Sequence, residues 1–319
     1  MSNVKYFICP MSKTIVDSII ELESDKIGIT ATRRQIDLDG GYVNDWTTKE
    51  FFNYTHNVSL FANHMIYERD HGGPLQGVYP DNGYESFNTD ATFFSLYHID
   101  PWKLHKDLNE GIRQTILYMR FILQRNPLAH FEVSTEEDIR PFSVLDINYM
   151  LEVLKLNLTD EEYQRIEFVV TQSGESLDLI NKKNKGTFSS KRFKEMIDVC
   201  NKHGKKSKEH NGDFLTNEEY KYRFDNGLSA INIGPEFATI VSGLYYDNMT
   251  EKQIEEFYNV CLDSGKWKRW VNVDVETLEK RQLIELCGHY NYQKYDLPDI
   301  NDLIKETIKN KLNRLLSIV

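Results

Sequence analysis

One pattern limits what this chain can fold into more than any other. Short runs of strand-forming residues alternate with longer amphipathic stretches over roughly the first 250 residues, a period-two signal giving way repeatedly to a period near 3.6. The runs are Tyr6 to Met11, Ile27 to Thr32, Met65 to Asp70, Ser95 to Asp100, Ala129 to Ser134, Ile166 to Thr171, Ser207 to Asn211 and Ala230 to Gly234. Between them lie helical patterns such as SKTIVDSIIELES, with Ile15, Ile19, Ile20 and Leu22 on one face, and the long NEGIRQTILYMRFILQ. Ser12, Thr47, Ser189 and Thr216 stand where helix N-caps belong. Strand then helix, repeated at about 30-residue spacing, fits a (β/α)8 TIM barrel. The competing doubly wound sheet is weakened because Cys9-Pro10-Met11-Ser12 stands after the first strand in place of a Gly-x-Gly-x-x-Gly turn. The expected organisation is a barrel over residues 1–250 and a C-terminal helical extension over 251–319, packed on the barrel.

Composition removes several function classes. A net charge of −11 with pI near 5.4 argues against a nucleic-acid binder, which needs a basic face. Cys9, Cys200, Cys261 and Cys287 are too scattered for a zinc ribbon or a disulfide framework, so reduced thiols are expected. No apolar run approaches the roughly 20 residues of a membrane span. A soluble, cytoplasmic protein with no membrane partner is the expectation.

In a barrel of this kind the active site is built at the C-terminal ends of the strands. Here those ends read Thr32-Arg33-Arg34-Gln35, Glu68-Arg69-Asp70-His71, His98-Ile99-Asp100, Glu132 to Glu136, Thr171-Gln172, Glu209-His210-Asn211, and Asn232 with Gly234-Pro235. All are polar. The densest is the third, where four ionisable groups run into Gly72-Gly73-Pro74. Such groups are costly to bury and cheap beside a solvated pocket, although a plain polar loop would look the same. His71, His98, Glu136 and His210 are candidate ligands for a divalent metal, zinc by donor type, and a metal-free site of acids and bases is the alternative. Asp70, Glu68 and Glu136 are candidate proton carriers. The remaining histidines, His56, His64, His105, His130, His203 and His289, read as structural or exposed.

An anion seat is suggested by Asn211 and Gly212 after the seventh strand and by Asn232 and Gly234 at the eighth, where this fold often holds phosphate on a helix N-terminus. Arg33, Gln35, Asp100 and Lys103 complete the candidate substrate-binding set. The alternative is that Gly234-Pro235 simply starts the last barrel helix. Lys208 could form a Schiff base, but a lysine beside Glu209 is more often salt-bridged.

The segments ITATRRQIDLDGGYVNDWT, ERDHGGP, YHID, STEE, EHNGD and INIGPEFA, with Trp267, Trp270 and CGHYNYQKY in the tail, resemble the GatZ/KbaZ family of tagatose-bisphosphate aldolase subunits. The resemblance covers most of the chain and rests on motif order. It implies an aldolase-type barrel related to zinc-dependent class II enzymes, with Asp70 as proton-transfer acid, His71 and His210 as zinc ligands, and Asn211 and Gly212 near phosphate. It also implies a possible non-catalytic role, since subunits of this type are described as stabilising partners of a separate aldolase chain. Arg69, Gly73, Pro101-Trp102-Lys103 and Lys208 depart from the family pattern. Together these readings lead to a metal-dependent sugar-phosphate aldolase or epimerase acting through an enediolate. Its partners would be a phosphorylated or anionic sugar and an aldolase partner subunit or further copies of itself.

Overall fold

The computed structural model describes the chain except residues 1–2, 135–141, 175–176, 186, 272–273 and 296. Eight parallel strands close a barrel in sequential order: β1 (Tyr6–Ile8), β2 (Ile27–Thr32), β3 (Tyr67–Gly72), β4 (Leu96–Ile99), β5 (His130–Val133), β6 (Ile166–Thr171), β7 (Lys206–Glu209) and β8 (Ala230–Ile233). The last strand pairs with the first through Tyr6 to Ile231 and Ile8 to Ile233. Each strand lies within or beside a run expected from the sequence, and the (β/α)8 fold is established. A small hairpin, Leu177–Asp178 with Lys183–Asn184, interrupts the connection from β6 to β7.

The connecting helices are α1 (Lys13–Glu21), α2 (Thr48–Val58), α3 (Tyr84–Asp90), α4 (Leu108–Leu123), α5 (Val144–Asn157) with the short α6 (Asp160–Gln164), α7 (Ser190–Lys202), α8 (Asn217–Asp225) and α9 (Pro235–Asn248). Their starts follow local chemistry. Ser12 and Ser189 accept the amides of Ile15 and Arg192, while Thr47 and Thr216 form capping boxes with Glu50 and Glu219. The chain continues through α10 (Glu251–Ser264), α11 (Lys280–Cys287) and α12 (Asn301–Leu316). Ile304, Ile308, Leu312 and Leu315 form the buried stripe of α12, which lies along α1 and touches α9. Tyr6 donates its hydroxyl to the Leu315 carbonyl at 2.9 Å, tying the extension to the first barrel strand. The cysteines are all free, and among the described residues no helix is long and apolar enough to cross a membrane.

The period of two along each strand sorts its residues between two cores. Outward residues such as Tyr6, Ile8, Ile29, Tyr97, Phe131, Val169 and Ile231 join the large core beneath the helices. Inward residues Phe7, Leu96, Phe168 and Ala230, with Val4 and Ile66, make a small apolar plug at the base of the barrel. Above that plug the same alternation brings Glu68 and Asp70 on β3, His98 on β4, Glu132 and then Ser134 on β5, Lys208 on β7 and Asn232 on β8 toward the axis. The inside of the barrel is therefore greasy below and charged above.

Candidate active site at the barrel mouth

The solvated pocket expected around Glu68 to His71 is corrected by this alternation. Arg69 turns outward and is fully buried, bonded to Asp90 through Nε at 2.7 Å and Nη2 at 2.8 Å and to the carbonyls of Ala31 and Ile36. Glu68 turns inward and is also fully buried. Only Asp70 and His71 reach the mouth. There the register between β3 and β4 slips between Arg69 and Gly72, and His71 takes φ of 45°, a left-handed value unusual for a side chain with a Cβ. Gly73 follows at φ of 151°, and a Cβ there would fall 2.3 Å from the Asp100 carbonyl oxygen. The bulge re-aims His71 toward the neighbouring strand end.

Four groups converge as a result. Asp70, His71, His98 and His210 each bring one donor atom to a place where all four lie within 4.8 Å of one another. Every imidazole is held through its other side. His71 Nδ1 is 2.7 Å from Asp100 Oδ2, His98 Nε2 is 2.6 Å from Ser134 Oγ, and His210 Nε2 is 2.6 Å from Glu132 Oε1. A carboxylate or hydroxyl on one ring nitrogen, with the other directed to a shared centre, is the arrangement that orients histidines for a metal. His98 Nδ1 also lies 3.1 Å from Asp70 Oδ1. Three imidazoles and a carboxylate are a donor set that fits a divalent transition ion.

Beneath this cluster sits an ion triad with no exposed surface. Lys208 Nζ is 2.5 Å from Glu68 Oε2 and 2.7 Å from Glu132 Oε2, and its ammonium lies 3.9 Å from the centre of the Phe7 ring. Three charges cannot be equally tolerated there. Burial, and then the neighbouring Glu132, push the Glu68 carboxyl well above the usual carboxylate range. Burial acts on Glu132 in the same direction but is outweighed by Lys208 and His210, which leave it ionised. Burial would discharge Lys208, yet the two glutamates hold it protonated, which removes the free amine a Schiff base needs. Lys208 is thus salt-bridged across the barrel, to Glu68 and Glu132 and not to Glu209, whose carboxylate bonds Arg223 at 2.7 Å outside the barrel wall. Asp70 is likewise ionised, because His71, His98 and His210 outweigh its burial.

The other sequence candidates divide. Asp100 is inside the site, accepting from Gln76 Nε2 at 2.5 Å as well as facing His71, and exposed Lys103 bonds the far side of Gln76. Asn232 is 5 % exposed, and neither its amide nitrogen nor its oxygen has a hydrogen-bond partner among the described residues. Arg33 and Gln35 are instead turned into the protein. Arg33 bonds Asp37, Asp81 and the Gly73 carbonyl, while Gln35 bonds the Thr32 amide and Met11 Sδ. The expected anion seat at Gly234 is filled by the chain itself, because Asp213 Oδ1 accepts the amides of Gly234 at 2.9 Å and Glu236 at 2.7 Å. Burial, with Glu236 adding to it, pushes Asp213 up to about 7. Gly212 donates its amide to the Asn232 carbonyl, and the carbonyl of exposed Asn211 accepts from the Asn184 side-chain amide. Glu136 lies outside the described residues. Glu132, Ser134 and Gln76 were not among the sequence candidates, although counting back two positions from Ser134 would have placed Glu132 inside the barrel.

No protein-family model and no curated protein matches the chain. Solved structures do. A probable tagatose 6-phosphate kinase from Sinorhizobium meliloti aligns at TM-score 0.70 and 15% identity, covering 99% of this chain and 87% of that one. The fructuronate-tagaturonate epimerase UxaE from Cohnella laeviribosi aligns at 0.64 and 9%, covering 99% and 81%. The YdjI aldolase from Escherichia coli aligns at 0.57 and 12%, covering 98% and 91%. At these identities the likeness is one of fold.

Proposed function

We propose that this protein is a divalent-metal-dependent enzyme that abstracts a proton beside the carbonyl of an anionic sugar, as an aldolase-type lyase or an epimerase. The observation that carries this is the convergence of Asp70, His71, His98 and His210, with each imidazole fixed by a second partner. His71, His98 and His210 would hold the ion, zinc by donor type. When bound, it would polarise the substrate carbonyl and stabilise the charge of an enediolate. Asp70, kept ionised, is the group placed to accept the proton and return it. Asn232 offers a free donor and acceptor to substrate oxygens from the opposite wall. Lys103, bonded through Gln76 and Asp100 to His71, would meet the anionic end. Glu132 and Lys208 act through His210 as positioning residues. Aldol cleavage and epimerisation share the same first proton transfer, and an aldolase and a sugar-acid epimerase are among the proteins of this fold, which supports the class.

The test is metal analysis of purified protein followed by assays on ketose phosphates and keto-uronates. One bound divalent ion per chain and a turnover lost in both His71→Ala and Asp70→Asn are expected. Unchanged turnover in His71→Ala would remove the proposal.

A further inference from the structure

Trp102 stands in the turn after β4 and is no member of the converging cluster. It is the largest fully buried side chain among the described residues. Neighbouring residues shape its place. Gly111 on α4 lies against the indole, where a Cβ would fall 2.0 Å from Trp102 Cζ3, and the Phe142 ring lies 5.5 Å away between centroids. A ring enclosed in this way is held in one orientation. Its indole N–H is a donor only, and a buried donor is nearly always bonded. Here it donates to the Ser134 carbonyl at 2.7 Å. The Trp102 backbone N–H donates to Asp100 Oδ1 at 3.2 Å, the Asx turn by which an aspartate fixes the chain two residues on.

Both acceptors are residues that hold histidines. Asp100 presents its other oxygen, Oδ2, to His71 Nδ1, and Ser134 presents Oγ to His98 Nε2. One buried side chain therefore joins the supports of two imidazoles whose rings lie 4.8 Å apart between centroids. His210 is supported separately, by Glu132. Ligands of a metal have to be held to within about 0.5 Å of their working positions, which a strand end alone does not guarantee. Ser134 shows why. It lies one residue past Val133, the last paired position of β5 on either side, so the barrel ladder does not fix its carbonyl and the indole does.

We infer that Trp102 is a positioning residue for the metal centre: its two N–H groups hold Asp100 and Ser134, and through them set the rings of His71 and His98. The inference rests on the metal reading of the barrel mouth. Its test is Co²⁺ binding to the full-length protein, read by calorimetry and visible absorption, in the wild type, Trp102→Phe, Ser134→Ala and the double variant. Trp102→Phe keeps the backbone N–H, so the bond it removes is the one to Ser134. It should weaken Co²⁺ binding about tenfold and shift the cobalt absorption bands. In the Ser134→Ala background the same change should alter affinity by less than about twofold, because the group it acts through is already gone. Denaturant unfolding of the metal-free proteins separates positioning from packing, since a purely structural role lowers stability and leaves the bands where they are. Should Trp102→Phe not fold, benzothienylalanine in place of Trp102, with the shape of the indole and no N–H, carries the same prediction. Wild-type binding that keeps its affinity and bands in the folded variant, or fully additive effects in the double variant, would overturn the inference alone. Absence of stoichiometric binding by the wild type would remove the metal reading and the inference with it.

Discussion

The rim of this barrel has two halves that look equally polar in sequence and behave oppositely in space. On the half formed by β3, β4, β5 and β7, Asp70, His71, His98 and His210 turn toward a common point. On the half formed by the loop after β2 and the start of α9, Arg33 closes on Asp37 and Asp81, and Asp213 closes on the amides that would have held an anion. A polar strand end is therefore not yet a site. What separates the halves is the direction in which alternate residues point, and whether the groups they meet leave any donor or acceptor unused.

The sharpest way to break this contrast is to exchange effects between the halves. His71→Ala or His210→Ala should lower turnover by on the order of 10³-fold or more with loss of bound metal, because the affected group belongs to the converging set. Lys208→Met should show its main effect as stability, lowering the unfolding free energy by about 3–5 kcal/mol in denaturant titrations, because it leaves Glu132 buried and ionised without its cation. Arg33→Ala should cost about 2 kcal/mol, reduced by the partial exposure of Asp81, while kcat changes less than threefold. A turnover loss in Arg33→Ala as large as in His71→Ala would erase the distinction.

Smaller effects refine it. Glu132→Gln keeps the shape beside His210 but not the charge, and metal affinity should fall about 10- to 100-fold. Asp213 holds a proton in the folded chain up to about pH 7, whereas the unfolded carboxyl releases it near the ordinary value of 3.8. The folded state then binds more protons across that interval, so this group's contribution to stability falls as pH rises from 4 to 7. Relative to Asp213→Asn, the wild type should lose on the order of 2 kcal/mol between pH 5 and pH 7.5. Parallel stability curves for the two proteins would contradict the assignment.

The barrel itself was legible because its strands are buried on both faces and its helices carry their own start signals. The run Ile27 to Thr32 and the cap Thr47 needed no long-range knowledge. His71, His98 and His210 were legible by the same route, as polar residues at strand ends. What could not be read was pairing across distance. Arg33 looked free because Asp81 is 48 residues away, and Gly234 looked open because Asp213 reaches it across a loop. Glu132 stands in the polar run at the end of the fifth strand, but Glu136 is the residue of that run that reads as candidate ligand and proton carrier. Glu68 was grouped with Asp70, yet the two differ in depth by one turn of the pleat, and that depth makes one a buried acid and the other a carboxylate at the mouth.

The central claim is that three histidines from three strand ends, with Asp70 beside them, form one metal-binding centre. Equilibrium binding of Co²⁺ to the full-length protein, read by its visible absorption and by calorimetry, tests it most directly. One ion per chain is expected, weakened in Glu132→Gln and absent in His98→Ala, with Arg33→Ala binding as the wild type does. Absence of stoichiometric binding by the wild type, or full binding by His98→Ala, would contradict it.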